Sequence, residues 1–265
     1  MRRSIRSVRQ YLRRQRQHYF PDLQTRRYRS WISRRVRLRS EKYGGRVPSG
    51  LLSILTAVWD GSPATYLNTL AASIESQNSD GACEWVLLDN GCTRPEILGC
   101  LVALRQRPWI NIYRSEQNLG IIRGLRLCLE RASNRYVLPV DGDDQLYPDA
   151  LKIVTEHLRN AGYPPILYTD EDKISEAGLS QPYFKPDWDP VLLGNLAYIA
   201  HLGIVDRGEA LRLGAYSDPA TEGSPDWDVF LRFAAAGHTG VHIPEVVYSW
   251  RMHSTSTAEN AHSKS

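Results

Sequence analysis

The sequence predicts an α/β protein with a mostly parallel central sheet flanked by helices, preceded by a basic N-terminal helical extension. Three observations carry that expectation. Apolar runs of strand length alternate with helically spaced segments from residue 51 to residue 169, the pattern of parallel strands joined by right-handed crossovers. An acidic turn, Asp141-Gly142-Asp143-Asp144, follows one of the strand-like runs, at the kind of sheet edge where such folds bind ligands. Charge is also segregated. Residues 1–47 hold 15 Arg and Lys42 against Asp22 and Glu41, so 16 cations less two acids leave +14; with the whole chain at +4, the remainder stands at −10.

The elements follow in order. The extension has apolar positions at Tyr11, Leu12, Tyr19 and Phe20 and again at Trp31, Ile32 and Val36, which suits helix in pieces. The turn signal Val47-Pro48-Ser49-Gly50 opens the domain. Residues 51–57 form a continuous apolar run, as expected of a strand buried on both faces. Tyr66, Leu67, Leu70, Ala71 and Ile74 recur at helical spacing within 64–77. Strands are expected at 84–89, 110–113, 136–140 and 165–169, with helices at 95–104, 120–132 and 151–158. The polar stretch 173–190, with its prolines, reads as a long loop. A strand near 197–205, helices near 207–213 and 227–236 and a strand near 244–250 complete the expected domain, 48–258, ahead of a flexible tail, 259–265.

Length and composition are those of a globular chain able to bury a full core. No apolar run reaches the ~20 residues that span a bilayer, and the N-terminus lacks the apolar core of a secretory signal. Cys83, Cys92, Cys100 and Cys128 show neither metal-site spacing nor disulfide density, which suits reduced thiols in a cytoplasmic protein. The basic extension suits attraction to an anionic membrane surface or a solvated arm. No nucleic-acid recognition motif accompanies it, so nucleic acid is not an expected partner.

Carboxylates packed as in the acidic turn repel one another unless a cation neutralises them. A hard divalent ion bringing phosphate oxygens is one answer. A solvated turn capping the helix after Pro148-Asp149 is the other, and the four residues alone leave both open.

Further motifs separate the two. Ser53-Ile54-Leu55-Thr56-Ala57-Val58-Trp59-Asp60, Leu88-Asp89-Asn90-Gly91-Cys92-Thr93, Asn118-Leu119-Gly120-Ile121, the acidic turn, Tyr168-Thr169-Asp170-Glu171-Asp172-Lys173, Tyr183-Phe184-Lys185-Pro186-Asp187-Trp188, Glu222-Gly223-Ser224-Pro225-Asp226-Trp227-Asp228 and Trp250-Arg251-Met252-His253 occur in this order. Together they resemble family 2 glycosyltransferases of the Rossmann-like GT-A fold, in particular bacterial enzymes of O-antigen and other surface polysaccharide synthesis, over about residues 48–257. The resemblance implies an inverting, metal-dependent transfer from a UDP- or dTDP-linked sugar to a saccharide or lipid-linked saccharide. The cofactor would be Mg2+ or Mn2+, and the location cytoplasmic, peripheral at the inner face of the membrane.

By the same resemblance Asp143 and His253 are metal ligands, and Asp141 contacts ribose or metal-bound water. Arg251 reaches the diphosphate, and Thr56, Asp60 and Asn90 hold the nucleotide. Asp226 is the catalytic base, with Asp228 the runner-up. Asp226 falls at an expected helix N-terminus, so its competing role is that of a first-turn acid, and the helix dipole would lower its pKa unless acceptor binding desolvates it. The chain departs from the family in Trp59-Asp60 for Tyr-Asn, in Asn90 for an acid, in Arg126 for Asn and in Pro225 for Gln. A nucleotidyltransferase would also pair carboxylates with metal and phosphate. It would be expected to carry a glycine-rich cationic loop after the first strand, where Gly61-Ser62-Pro63 has no cation. A non-catalytic adaptor working through the basic arm is the remaining alternative.

Overall fold

In the expected first strand, Ile54 and Leu55 point to opposite faces of the sheet and both are fully buried, Ile54 in one apolar cluster and Leu55 in the other. Helices on both sides explain the unbroken apolar run. A computed structural model describes residues 21–252, so the expectations for residues 1–20, His253 and the tail 259–265 lie outside the described residues.

The elements are α1 (Pro21–Lys42), β1 (Leu52–Val58), α2 (Ala64–Glu75), β2 (Glu84–Asn90), α3 (Pro95–Leu104), β3 (Ile110–Ser115), α4 (Gly120–Arg131), β4 (Tyr136–Pro139), β5 (Gln145–Leu146) and α5 (Ala150–Asn160). There follow β6 (Ile166–Ser175), β7 (Gly178–Tyr183), α6 (Pro190–Leu193), β8 (Gly203–Asp206), α7 (Arg207–Arg212), a 3-10 turn at Pro219–Thr221, α8 (Pro225–Ala235) and β9 (Val241–Arg251). They build one nine-stranded sheet in the order β3-β2-β1-β4-β8-β6-β9-β5, with β7 paired to β6. Helices α2, α3 and α5 cover one face through residues such as Leu67, Leu101 and Leu151; α4, α7 and α8 cover the other through Leu125, Ala210 and Phe233.

The expected parallel sheet is present from β3 to β4. Beyond β4 the sheet is mixed. β8 runs antiparallel to β4 and β6, β5 antiparallel to β9, and only the β6–β9 pair is parallel. Residues 173–190 are not the expected single loop. The end of β6 and β7 form an antiparallel hairpin, turning at Gly178 with φ +94, and β7 forms no further strand pair. A strand paired on one side stays polar, which hid this one from an apolar-run criterion. The strand expected near 197–205 shrinks to Gly203–Asp206, leaving the residues before it in irregular backbone.

The second half of the basic extension is one continuous helix docked on the domain. Ile32 is fully buried, and the Tyr28 hydroxyl donates to Asp172 Oδ2 at 2.6 Å. Arg39 is also buried. Its Nε meets Asp149 Oδ2 at 2.7 Å and its Nη1 donates to the Val246 carbonyl at 2.6 Å. Arg35 holds Glu245 through two donors, at 2.9 and 2.5 Å. Carboxylates and a carbonyl replace most of the water of this buried guanidinium, although Arg39 Nη2 and Asp149 Oδ1 have no hydrogen-bond partner among the described residues. The four cysteines are buried free thiols.

Candidate active site

The acidic turn lies where β4 leaves the sheet. Asp144 is wholly buried, and both of its oxygens have protein donors. Oδ1 accepts from the Arg251 backbone N–H at 2.7 Å, and Oδ2 accepts from the Tyr248 hydroxyl. Arg251 Nε donates to the Asp143 carbonyl at 2.5 Å. The turn is therefore bolted to β9, and Asp144 is its bolt.

Asp141 remains open to solvent along one side. Enclosure by the protein raises its pKa to about 6; Asp143 and Asp226 add to the rise and His201 opposes it. Asp144 is held well above the usual carboxylate range by burial, then by the charges of Asp141 and Asp143.

Asp226 stands in the first turn of α8 behind Pro225. Its Oδ1 accepts from the Tyr216 hydroxyl at 3.3 Å, and burial raises its pKa against the opposing pull of His201 and Tyr216. Desolvation moves the group toward the range of a useful base. Asp228 is committed elsewhere, bound to Arg232 at 2.6 Å within the same helix.

Between the two sets sits His201, which the sequence reading passed over. Its backbone is clamped from both sides. The N–H donates to Glu171 Oε2 at 2.9 Å, and the carbonyl accepts from Lys185 Nζ. Lys185 and Glu171 themselves pair at 3.1 Å, both buried. The imidazole stacks on Tyr248, centroids 4.9 Å apart and 13° from parallel, and lies 5.8 Å from Trp250. Ligand atoms of Asp141, Asp144 and His201 all lie within 4.8 Å of one another. Carboxylate oxygens with one imidazole nitrogen fit a divalent ion such as Mn2+. Asp144 already has two donors, so Asp141 and His201 have the freer atoms. His253 lies outside the described residues.

The expected nucleotide contacts are placed at this edge, but their polar atoms serve the fold. Thr56 is wholly buried, donating to the Val140 carbonyl at 2.8 Å and accepting from Trp85 Nε1 at 3.0 Å. Asp60 receives the Thr93 hydroxyl and the backbone N–H groups of Thr93 and Arg94, at 2.5 to 3.0 Å. Asn90 accepts from Leu119 N–H at 2.8 Å and donates to Asn118 Oδ1 at 2.9 Å. It fixes the turn that Gly91 lets approach: a Cβ at Gly91, φ +76, would stand 2.6 Å from Asn118 N.

Arg251 differs. It is buried, its guanidinium lies 4.4 Å over the Tyr66 ring, and its Nη2 has no hydrogen-bond partner among the described residues. A buried guanidinium N–H without a partner costs free energy unless a ligand supplies one. Lys185 braces His201. Asp187 pairs with His242 at 3.2 Å, and Trp188 packs partly buried near Tyr168.

The glycosyl transferase family 2 model matches residues 53–190. An O-antigen biosynthesis protein, RfbC, of Myxococcus xanthus is 30% identical over 210 residues, 78% of this chain and 16% of the relative. An uncharacterized Sinorhizobium fredii protein, y4gI, is 33% identical over 220 residues, 81% of this chain and 24% of the relative. The chain thus spans a quarter or less of the length of these two relatives. The crystal structure of S. aureus TarS 1-349 in complex with UDP-GlcNAc shares the fold, with a TM-score of 0.66 at 16% identity over 80% of this chain and 61% of that one.

Proposed function

Because the chain belongs to glycosyl transferase family 2, we propose that it is a metal-dependent inverting glycosyltransferase. It moves a sugar from a UDP- or dTDP-linked donor to a saccharide or lipid-linked saccharide in cell-surface polysaccharide synthesis, at the cytoplasmic side of the membrane. The observation that carries the reading is the meeting of Asp226, its pKa raised by burial, with Asp141 and His201. The O-antigen role in the name of the Myxococcus relative supports the polysaccharide product, and the UDP-GlcNAc held by TarS supports a UDP-linked donor.

In this reading Asp226 takes the proton of the acceptor hydroxyl. The acceptor oxygen forms its bond to the anomeric carbon from the face opposite the diphosphate. The bond from that carbon to the diphosphate oxygen breaks, its electron pair leaving with the nucleotide. Arg251 Nη2 donates to a diphosphate oxygen, a partner it lacks among the described residues. Asp141, Asp143, His201 and His253 would hold Mg2+ or Mn2+, and that ion would supply positive charge to the departing diphosphate. The Asp144 bolt keeps Arg251 and the acidic turn at a fixed separation.

Calorimetry with UDP and dTDP, each with and without manganese, tests the donor site. Asp226→Asn should lower transfer ~10²–10⁴-fold while leaving nucleotide binding unchanged. Folded protein that binds neither nucleotide, or an Asp226→Asn variant with full transfer, sinks the reading.

A further inference from the structure

Helix α1 is docked by its inner face through Tyr28, Ile32 and Arg39, and a flank beside that face stays in solvent. Leu23, Arg27, Trp31, Arg34 and Leu38 follow one another at steps of four, four, three and four residues, so they line a single stripe along that side. All five are exposed; Leu23, Trp31 and Leu38 keep 48%, 44% and 54% of their surface. The stripe continues past the helix. Phe184, 55% exposed, meets Trp31 edge to face with centroids 5.7 Å apart. Phe184 immediately precedes Lys185, whose ammonium grips the His201 carbonyl.

A stripe in which large apolar side chains alternate with arginines is unusual for a surface facing only water. It is suited to a plane that is apolar below and anionic above. Charge favours the same partner, because residues 1–47 stand at +14 while the rest of the chain is acidic. A polyanion such as RNA would satisfy the arginines but would leave Leu23 and Leu38 without an apolar partner.

We propose that the stripe Leu23, Arg27, Trp31, Arg34 and Leu38, extended by Phe184, is a lipid-docking surface that lays α1 flat on an anionic bilayer. The helix then serves as a rigid foot. Because Arg35 and Arg39 anchor it to Glu245 and Asp149, the domain it carries takes a set orientation on the bilayer.

The test is flotation of the full chain with vesicles of phosphatidylcholine, with and without phosphatidylglycerol, and it needs no glycosyl transfer. The expected result is flotation only with the anionic vesicles. Trp31→Ser combined with Phe184→Ser should lower partitioning on the order of tenfold, and Arg27→Glu with Arg34→Glu by at least as much. An unchanged far-ultraviolet spectrum and melting midpoint would show that the variants are folded. The proposal is overturned if the chain ignores anionic vesicles or if both variants float like the parent. It is also overturned if single-stranded RNA is bound in preference to vesicles and only the arginine variant loses it. Loss of flotation with nucleotide binding intact would leave the enzymatic reading untouched.

Discussion

Strand β9 carries two charge clusters built to opposite rules. Near its middle, Arg35 and Arg39 of α1 face Glu245 and Asp149, two cations against two carboxylates, paired at 2.5 to 3.5 Å. Toward its end, Tyr248 and Arg251 meet Asp141, Asp143 and Asp144, with Asp226 close by, so carboxylates outnumber fixed cations. The first cluster is neutral within itself and fastens a helix. The second is left acidic: desolvation raises the pKa values of Asp141, Asp144 and Asp226, and neighbouring carboxylates raise those of Asp141 and Asp144 further. Burial alone therefore does not mark a functional group; uncompensated burial does.

Breaking the balanced cluster should have the largest effect. Arg39→Leu leaves Asp149 without its partner in the interior, and a loss of ~3–5 kcal/mol is expected in urea unfolding. Adding Asp149→Leu should recover a substantial part of it, because an apolar pair replaces a broken ionic one. No recovery would mean that Arg39 works through packing on Tyr147, 5.0 Å away, rather than through charge.

A smaller effect should come from titrating the acidic cluster. Asp141 accepts a proton near pH 6, so manganese-assisted nucleotide affinity should fall about tenfold per pH unit below about 6 and level off above it. The sign for folding is opposite. The folded carboxyl binds its proton more tightly than the ordinary 3.8, so protonation between about 6 and 3.8 adds stability as the pH drops. Affinity that stays flat from pH 5 to 8 would remove Asp141 from the donor site.

The smallest effect should come from Asp141→Asn at neutral pH. Removing one uncompensated charge should raise stability by ~1 kcal/mol or less after screening by solvent, seen as a slightly higher melting midpoint, while manganese-assisted binding is lost. A lower midpoint would mean that Asp141 holds the turn together as Asp144 does.

The parallel half of the sheet was readable because each of its strands is buried on both faces, which leaves a continuous apolar run. The mixed half was less readable, since β7 is polar and pairs on one side and β5 is two residues long. At the site, the acidic turn, Asp226 and Arg251 announce themselves by charge. His201 sits alone in an apolar stretch read as strand, and its role comes from irregular backbone held by Lys185 and Glu171, partners about 16 and 30 positions away. Thr56, Asp60 and Asn90 teach the converse. A polar residue at the ligand edge of a sheet can have its hydrogen bonds taken up by the turns that build the edge.

The bolt at Asp144 reaches forward 104 residues to Tyr248 and 107 to Arg251. During synthesis the acidic turn leaves the ribosome long before either. At roughly 5–20 residues per second the turn waits about 5–20 s for its partners. Until β9 arrives, Asp144 has neither donor and Arg251 is not yet made, so the proposed site is incomplete in the growing chain. Competence arrives in one step, with the last strand of the sheet.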